Sequence, residues 1–259
     1  MEKRKTFFYS KNQDDEFVAP LKNVKSIKGD YIYLQGHFAS RILAFIAYRL
    51  IATPIAFIYT FLIKRIKIVN RELLKPFRKR GIVVYANHTQ EIADALTPSI
   101  ILFPKRSYAI VNANNVSLPV LGNAIKLLGA LPLPEDLTST KNFISAIETR
   151  LEQGHSILIY PEAHIWPYYT KIRDYTDASF VYPVKHDAPV FSFTTTYQKK
   201  LKGKGFRIVI YVDGPFFAPS ELDKKSRQSF LHEQVINAMR NRASSSNYEV
   251  NEYLPKENI

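Results

Sequence analysis

The sequence predicts an α/β protein: a mixed, largely parallel sheet flanked by helices, with an N-terminal apolar helical membrane-association segment. Short apolar, β-branched runs alternate along the chain with longer stretches of helical composition, and this alternation is typical of parallel or mixed sheets. A long apolar stretch rich in aromatic residues precedes the first of these runs. A length of 259 residues, of which 46% are hydrophobic and 23% charged, suits one large globular domain.

The chain begins with two segments of opposite character. Residues 1–37 are polar, and the more apolar part near their end predicts an irregular strand or a cover over the core. Residues 38–67 are apolar, but Arg49 and Pro54 divide them, and the longest charge-free piece runs only from Leu50 to Ile63. Because a spanning helix needs about 20 apolar residues, we predict a helical hairpin half-buried in one leaflet. A pair of buried core helices is the alternative. A single tilted span is less favoured still, because Arg49 would lie within it.

The α/β part is predicted over residues 68–243, with a polar tail at 244–259. It opens with a short basic helix before the first strand. The apolar, β-branched runs predict strands at 81–86, 107–112, 156–160, 188–195 and 206–213. The stretches between them predict helices at 91–102, 117–127, 139–153 and 219–242.

Charge and cysteine content bound the partners and the chemistry. A formal net charge of +13 favours an anionic partner over a merely solvated basic surface. No nucleic-acid motif is present, so an anionic membrane surface ranks first, and we expect a peripheral or monotopic protein on the cytoplasmic face. The absence of cysteine excludes disulfides, thiolate nucleophiles and cysteine-based zinc sites. We expect no bound metal.

A histidine and two acids lie where the first predicted strand becomes a helix. The run 81–86 is followed by Asn87 and His88, and then by Glu91 and Asp94. The carboxyl end of a strand is where α/β sheets form their ligand crevices. A histidine oriented there by a carboxylate can take a proton from an attacking hydroxyl. Alternatively, the asparagine caps the helix and the histidine is structural.

A second strand ends in the same way. The run 156–160 leads into Pro161, Glu162, Ala163 and His164. Together with two further blocks, these motifs resemble the glycerolipid acyltransferase family, the 1-acylglycerol-3-phosphate acyltransferases and their relatives, over roughly residues 80–215. The family motifs correspond in order and spacing to Asn87-His88 with Asp94, Gly129-Ala130-Leu131-Pro132-Leu133, Tyr160-Pro161-Glu162-Ala163-His164, and Ala188-Pro189-Val190-Phe191.

The sequence departs from the first family motif by one residue. Five residues separate His88 from Asp94, whereas the family has four, so Ala93 occupies the family's aspartate position. On a regular helix one extra residue rotates a side chain by about 100°. A loop turn before the helix would restore the pairing with Asp94, which we favour, but Glu91 is an alternative partner.

The arginines of the second and third family motifs are also replaced. Glu135 and Ile165 stand where the resemblance leads us to expect them. In the family those arginines are associated with the phosphate of the acyl acceptor. The resemblance therefore implies acyl transfer but leaves open which hydroxyl is acylated.

The resemblance implies a membrane-associated O-acyltransferase of phospholipid biosynthesis. A fatty acyl group would pass from acyl-ACP or acyl-CoA, as co-substrate rather than cofactor, to a lysophospholipid hydroxyl such as that of 1-acylglycerol-3-phosphate. Another lipid or glycolipid hydroxyl, or a catalytically silent lipid-binding relative, is the alternative. His88 and Asp94 are the expected catalytic residues. The expected substrate-contacting residues are Asn87, Glu91, Gly129, Glu162, His164, Lys171 and Arg173.

Overall fold

The structure, a computed structural model, describes residues 4–10, 15–17, 24–34, 36–118 and 121–256. Within these residues a seven-stranded sheet has the order β2-β8-β7-β3-β6-β4-β5. Its strands are β2 (Lys67–Val69), β3 (Ile82–Ala86), β4 (Ser107–Val111), β5 (Ala130–Pro132), β6 (Ser156–Ile159), β7 (Val190–Lys199) and β8 (Phe206–Phe216). The five strands from β7 to β5 run parallel, and β8 pairs antiparallel with β7. The predicted fold class is confirmed.

Helices cover both faces of the sheet, so its central strand is apolar throughout. Val83 and Tyr85 of β3 belong to one hydrophobic core, whereas Ile82, Val84 and Ala86 belong to the other, as the alternation of side chains along a strand requires. The helices are α1 (Phe38–Ile63), α2 (Glu91–Ile101), α3 (Ala113–Ser117), α4 (Leu121–Leu127), α5 (Leu137–Glu152), α6 (Val181–His186) and α7 (Lys224–Ala243), with short 3-10 helices at Arg71–Phe77 and Ala178–Phe180.

The predicted helical hairpin is wrong, because residues 38–63 form one helix. Helix α1 is 26 residues long and is apolar and long enough to cross a membrane. Wide π-helical turns at Ile46–Ala52 and Ile58–Ile63 flank the short α-helical piece that contains Pro54. Such turns let a helix pass a proline that would otherwise break it. The proline therefore does not divide the helix.

One side of α1 packs on the α/β domain and the other is exposed. The Tyr48 hydroxyl accepts a hydrogen bond from the backbone N–H of Ser107 at 3.1 Å, and the hydroxyls of Thr60 and Thr97 lie 3.2 Å apart. The helix thus runs antiparallel to α2, with its carboxyl end nearer the carboxyl edge of the sheet. Its outward side consists of large exposed apolar residues: Phe38, Ile42, Leu43, Phe45, Ile46, Leu50, Ile51, Ile55, Phe57, Ile58, Leu62 and Ile63.

Parts of both terminal segments pack on the core or pair with each other. Residues 24–34 form a cover with no strand: Ile27 and Tyr33 are buried, and the Tyr33 hydroxyl donates to the Pro132 carbonyl at 2.9 Å. The cover protects the sheet beside β5. The predicted polar tail contains β9 (Glu252–Pro255), which pairs in parallel with β1 (Thr6–Tyr9). Each strand has only four residues, and the polar stretches beside them hid the pair.

Candidate active site

His88 and Asp94 form a hydrogen-bonded pair at the carboxyl end of β3. The strand ends at Ala86, and helix α2 begins at Glu91. The Nδ1 of His88 lies 2.9 Å from Oδ2 of Asp94, whose side chain is buried. Glu91 is exposed in the first turn of α2 and is not the partner of the imidazole. The structure therefore selects Asp94 from the two carboxylates that the sequence left open.

The extra residue between His88 and Asp94 lies in the loop before helix α2 begins. His88 is outside the helix, and Gln90 at the N-cap has extended backbone, so helical periodicity does not separate His88 from Asp94. From the first turn, Oδ2 of Asp94 reaches back to accept the backbone N–H groups of Thr89 and Gln90 at 2.9 and 2.8 Å. A carboxylate at this position is also favoured by the helix dipole.

Two tyrosines that the sequence analysis did not single out hold this loop. The ring of Tyr160 stacks on the His88 imidazole, with centroids 4.3 Å apart, and its hydroxyl donates to the Asp94 carbonyl at 2.6 Å. Burial, aided by Asp94, raises the pKa of Tyr160 well above its usual value, so the hydroxyl stays a donor. The Tyr197 hydroxyl lies 2.7 Å from that of Thr89. Tyr160 therefore fixes one face of the imidazole, and both tyrosines fix the loop that carries it.

Glu162 joins the two motifs through a buried ion pair. Its Oε2 accepts the backbone N–H of His88 at 3.2 Å and lies 3.3 Å from the guanidinium of Arg173; its Oε1 accepts the backbone N–H of Arg173 at 3.0 Å. Burial raises the pKa of the Glu162 carboxyl, and Arg173 opposes that rise. Burial lowers the pKa of Arg173, and Glu162 opposes that shift. The pair positions the loop that carries His88.

We expect Glu162→Gln to lower the free energy of unfolding by about 3–5 kcal/mol, because it leaves the Arg173 guanidinium buried without its counter-charge. The matched control is Glu148→Gln. Glu148 lies 3.8 Å from Lys185 on the surface, and such pairs contribute about 0–1 kcal/mol. Urea unfolding of both variants measures the difference. Equal small losses in the two variants would contradict the assigned role of the buried pair.

Three of the predicted substrate contacts have other partners or lie elsewhere. The amide of Asn87 exchanges hydrogen bonds with the backbone of Thr195 at 2.8 and 3.0 Å, which ties β3 to β7. Arg173 is buried against Glu162 and over the Trp166 ring. Gly129 lies at the amino end of β5, three strands from β3, where its φ of +105° and the Ser107 carbonyl exclude a side chain. A backbone requirement, not substrate contact, explains this glycine.

The third motif ends in a tight turn beside the pair. Ala163 has a φ of +62°, a left-handed conformation that costs a residue with a Cβ about 1–2 kcal/mol and that glycine adopts freely. The Arg173 guanidinium donates to the His164 carbonyl, and the His164 side chain is half-buried. Lys171 is exposed nearby in the chain. Substrate contacts by His164, Lys171 and Glu91 stay predictions.

The geometry leaves one nitrogen of His88 available for chemistry. Nδ1 is engaged by Asp94, and the His88 side chain is 19% exposed. When Nδ1–H donates to the carboxylate, Nε2 is the basic nitrogen. It can therefore take a proton from a hydroxyl that approaches from outside. Among the described residues, no group of three or more His, Cys, Asp or Glu side chains could hold a metal ion.

Comparison with known proteins agrees with this geometry. The Acyltransferase family model matches residues 65–216, which is more than half of the chain. The chain belongs to the Acyltransferase family, and the protein is an acyltransferase. No match was found among curated proteins.

A solved structure has a similar fold. It is the crystal structure of the 1-acyl-sn-glycerophosphate (LPA) acyltransferase PlsC from Thermotoga maritima, with a TM-score of 0.51 and 17% sequence identity. The match covers 81% of this chain and 84% of that chain. At this identity the likeness concerns the fold.

Proposed function

We propose that the protein transfers a fatty acyl group from a thioester, acyl-ACP or acyl-CoA, to a lysophospholipid hydroxyl such as that of 1-acylglycerol-3-phosphate, in phospholipid biosynthesis. The observation that carries the proposal is the His88–Asp94 pair at 2.9 Å with Nε2 left available. Family membership supports acyl transfer, and the fold shared with PlsC supports a lysophospholipid acceptor.

His88 acts as a general base in this mechanism. Its Nε2 takes the proton of the acceptor hydroxyl while that oxygen attacks the thioester carbonyl. Asp94 fixes the tautomer of the ring and stabilises the imidazolium that forms. The tetrahedral intermediate then expels the thiolate, which takes up the proton. The acyl group moves directly to the acceptor, because neither motif supplies a serine or cysteine nucleophile beside the histidine.

The identity of the acceptor depends on what binds its polar head. Glu135 and Ile165 occupy the positions where the resemblance leads us to expect phosphate-binding arginines, and Arg173 pairs with Glu162 inside the protein. This observation favours a second candidate function, acylation of another lipid or glycolipid hydroxyl by the same base. Lys171 and His164 are the remaining polar candidates near the third motif.

An acceptor panel distinguishes these two functions. Purified full-length protein in lipid vesicles is given radiolabelled acyl-ACP or acyl-CoA with one acceptor at a time: 1-acylglycerol-3-phosphate, a neutral lysolipid, or a glycolipid. We expect labelled phosphatidic acid from the first acceptor. Transfer only to an acceptor without a phosphomonoester would replace the first function with the second. Failure with every lipid hydroxyl would contradict both functions.

We propose that the protein associates with the cytoplasmic face of a membrane through α1 as a peripheral or monotopic protein. The buried residues of α1 run from Ala44 to Thr60, and this part packs on the α/β domain, so it cannot be surrounded by lipid. The longer remaining piece, from Phe38 to Leu43, is about 9 Å long, well short of a bilayer core of about 30 Å. The packing of α1 on the α/β domain and its exposed apolar side favour a helix that lies along one leaflet.

We expect Leu50→Asp to weaken binding to anionic vesicles about tenfold or more, since it removes an exposed apolar side chain that would be buried in lipid. The matched control is Leu137→Asp, at a position on α5 that is 83% exposed and outside the proposed contact. Vesicle sedimentation measures both variants. High salt should weaken wild-type binding only in part, because apolar burial persists when charge is screened.

Protease protection tests the orientation of α1. Tags at the N-terminus and within the α/β domain should be cleaved from the same side of a sealed vesicle. Accessibility from opposite sides would show that α1 spans the membrane. Deleting residues 1–65 is a poorer test, because Ile27 and Tyr33 are part of the core.

A further inference from the structure

Three arginines at the amino-terminal edge of the sheet alternate with two tyrosine rings. The Cζ of Arg49 lies 5.4 Å from the ring centroid of Tyr48, and Arg106 lies 4.9 Å from the same ring. Arg106 also lies 5.0 Å from the ring centroid of Tyr108, over which Arg150 lies at 4.5 Å. We refer to these five residues as the arginine–tyrosine ladder. It joins α1 to β4 and α5 at the edge opposite His88.

The charge of the ladder is not balanced within the described residues. None of its three guanidiniums contacts a carboxylate there. Arg49 donates to the Pro104 carbonyl, Arg106 to the Leu127 carbonyl at 2.6 Å, and Arg150 to the Gln153 side chain at 2.9 Å. By contrast, three arginines of α7 each contact an aspartate: Arg227, Arg240 and Arg242.

The nearby positive charges help to lower the pKa of a histidine beside the ladder. The ring of His155 packs against Tyr108, with centroids 5.4 Å apart. Burial, followed by the charges of Arg150, Arg106, Lys105 and Arg49, lowers the pKa of His155 to about 4. The imidazole is therefore neutral at pH 7. Positive charge gathered without a contacting carboxylate is what an anion-binding site requires.

We propose that the arginine–tyrosine ladder binds a phosphate group. A planar guanidinium donates two parallel hydrogen bonds to phosphate oxygens, and the rings hold the guanidiniums in place. Arg49 is part of α1 next to the exposed Leu50 and Ile46, so the headgroup of an anionic lipid would reach the ladder while its chains contact the helix. The proposal goes beyond acyl transfer and rests on the proposed membrane association only for the source of the phosphate.

The test compares two full-length double variants of equal charge. Arg106→Gln with Arg150→Gln disrupts the ladder. Lys200→Gln with Lys204→Gln removes two exposed lysines from the β7–β8 turn at the other edge of the sheet. One arm measures the thermal midpoint with inorganic phosphate against chloride at equal ionic strength. The other measures binding to phosphatidylglycerol vesicles against phosphatidylcholine vesicles.

If the phosphate comes from lipid, the ladder variant should bind phosphatidylglycerol vesicles at least tenfold more weakly than the lysine variant. If the phosphate is free in solution, inorganic phosphate should raise the midpoint of wild type and of the lysine variant but not of the ladder variant. Equal behaviour of the two variants in both arms would overturn the proposal, whatever the acyl-transfer activity of the protein.

A wild-type measurement covers the case in which the ladder variant does not fold. A bound anion should raise the pKa of His155, because it offsets the charges of Arg49, Lys105, Arg106 and Arg150. The resonance of His155, assigned with His155→Gln, is titrated with and without inorganic phosphate, and again with phosphatidylglycerol in mixed micelles. An unchanged pKa with both would overturn the proposal.

Discussion

Replacement of His88 by alanine is expected to lower the rate of acyl transfer by about 10²- to 10⁴-fold, the contribution of a positioned general base. The side chain is partly exposed and Nδ1 is its bonded nitrogen, so the loop should survive through the backbone bonds of Glu162 and Trp166 to residue 88. Steady-state rates with the acceptor found in the panel, together with vesicle binding and urea unfolding, measure chemistry separately from folding.

His186→Ala is the matched control for this variant. His186 ends α6 at the opposite edge of the sheet and lies 3.9 Å from Glu148, so its loss should leave the rate within about threefold of wild type, as expected for a residue that takes no part in proton transfer. Near wild-type turnover of His88→Ala would contradict the mechanism.

Asp94→Asn is expected to cost nearly as much activity, up to about 10⁴-fold as for other carboxylates that set the tautomer of a catalytic histidine. Thr89, Gln90 and Nδ1 of His88 all contact the same oxygen, Oδ2. If the amide oxygen of asparagine takes that place, the loop is retained, but a neutral group no longer stabilises the imidazolium. If the amide nitrogen takes that place, it faces Nδ1 and favours the tautomer in which Nε2 carries the proton and cannot act as a base.

Glu91→Gln is the matched control for Asp94→Asn. Glu91 is an exposed acid in the same helical turn, and its replacement should cost no more than the small helix-dipole contribution of about 0.3–1 kcal/mol to stability. Initial rates of both variants under saturating donor decide the issue. Comparable losses in the two variants would show that neither carboxylate orients the imidazole.

The centre of the sheet was predictable from the sequence because β3, β4 and β6 are largely apolar runs of four or five residues. Strands β7 and β8, with 10 and 11 residues, are longer than predicted, because both continue beyond their apolar parts. The five predicted strands correspond to β3, β4, β6, β7 and β8. Strands β2 and β5 have three residues each, and β1 and β9 have four each, which is too few to show a period. Within the predicted helix 117–127, the structure describes a helix at Leu121–Leu127. A separate five-residue helix at Ala113–Ser117 was not predicted.

The site was predictable where a motif combined a strand end with ionisable residues. That signal identified His88, Asp94 and Glu162, and the polar stretch after His88 correctly indicated a turn before the helix. It missed the roles of Tyr160 and Tyr197, because stacking on an imidazole and a hydroxyl contact between a loop and strand β7 depend on tertiary structure. Gly129 was misread, since a glycine needed for its positive φ has the same sequence signal as one near a substrate.

The most direct test of direct acyl transfer by the His88–Asp94 pair is a single-turnover experiment. Enzyme in excess over radiolabelled acyl thioester is mixed with vesicles containing the acceptor, and quenched samples are separated into thioester, protein and lipid. The mechanism predicts that label passes from thioester to a lipid ester, never accumulates on protein, and does so at a rate that His88→Ala lowers by about 10²- to 10⁴-fold. Label that appears on protein before lipid, or transfer at a near wild-type rate in His88→Ala, would contradict it.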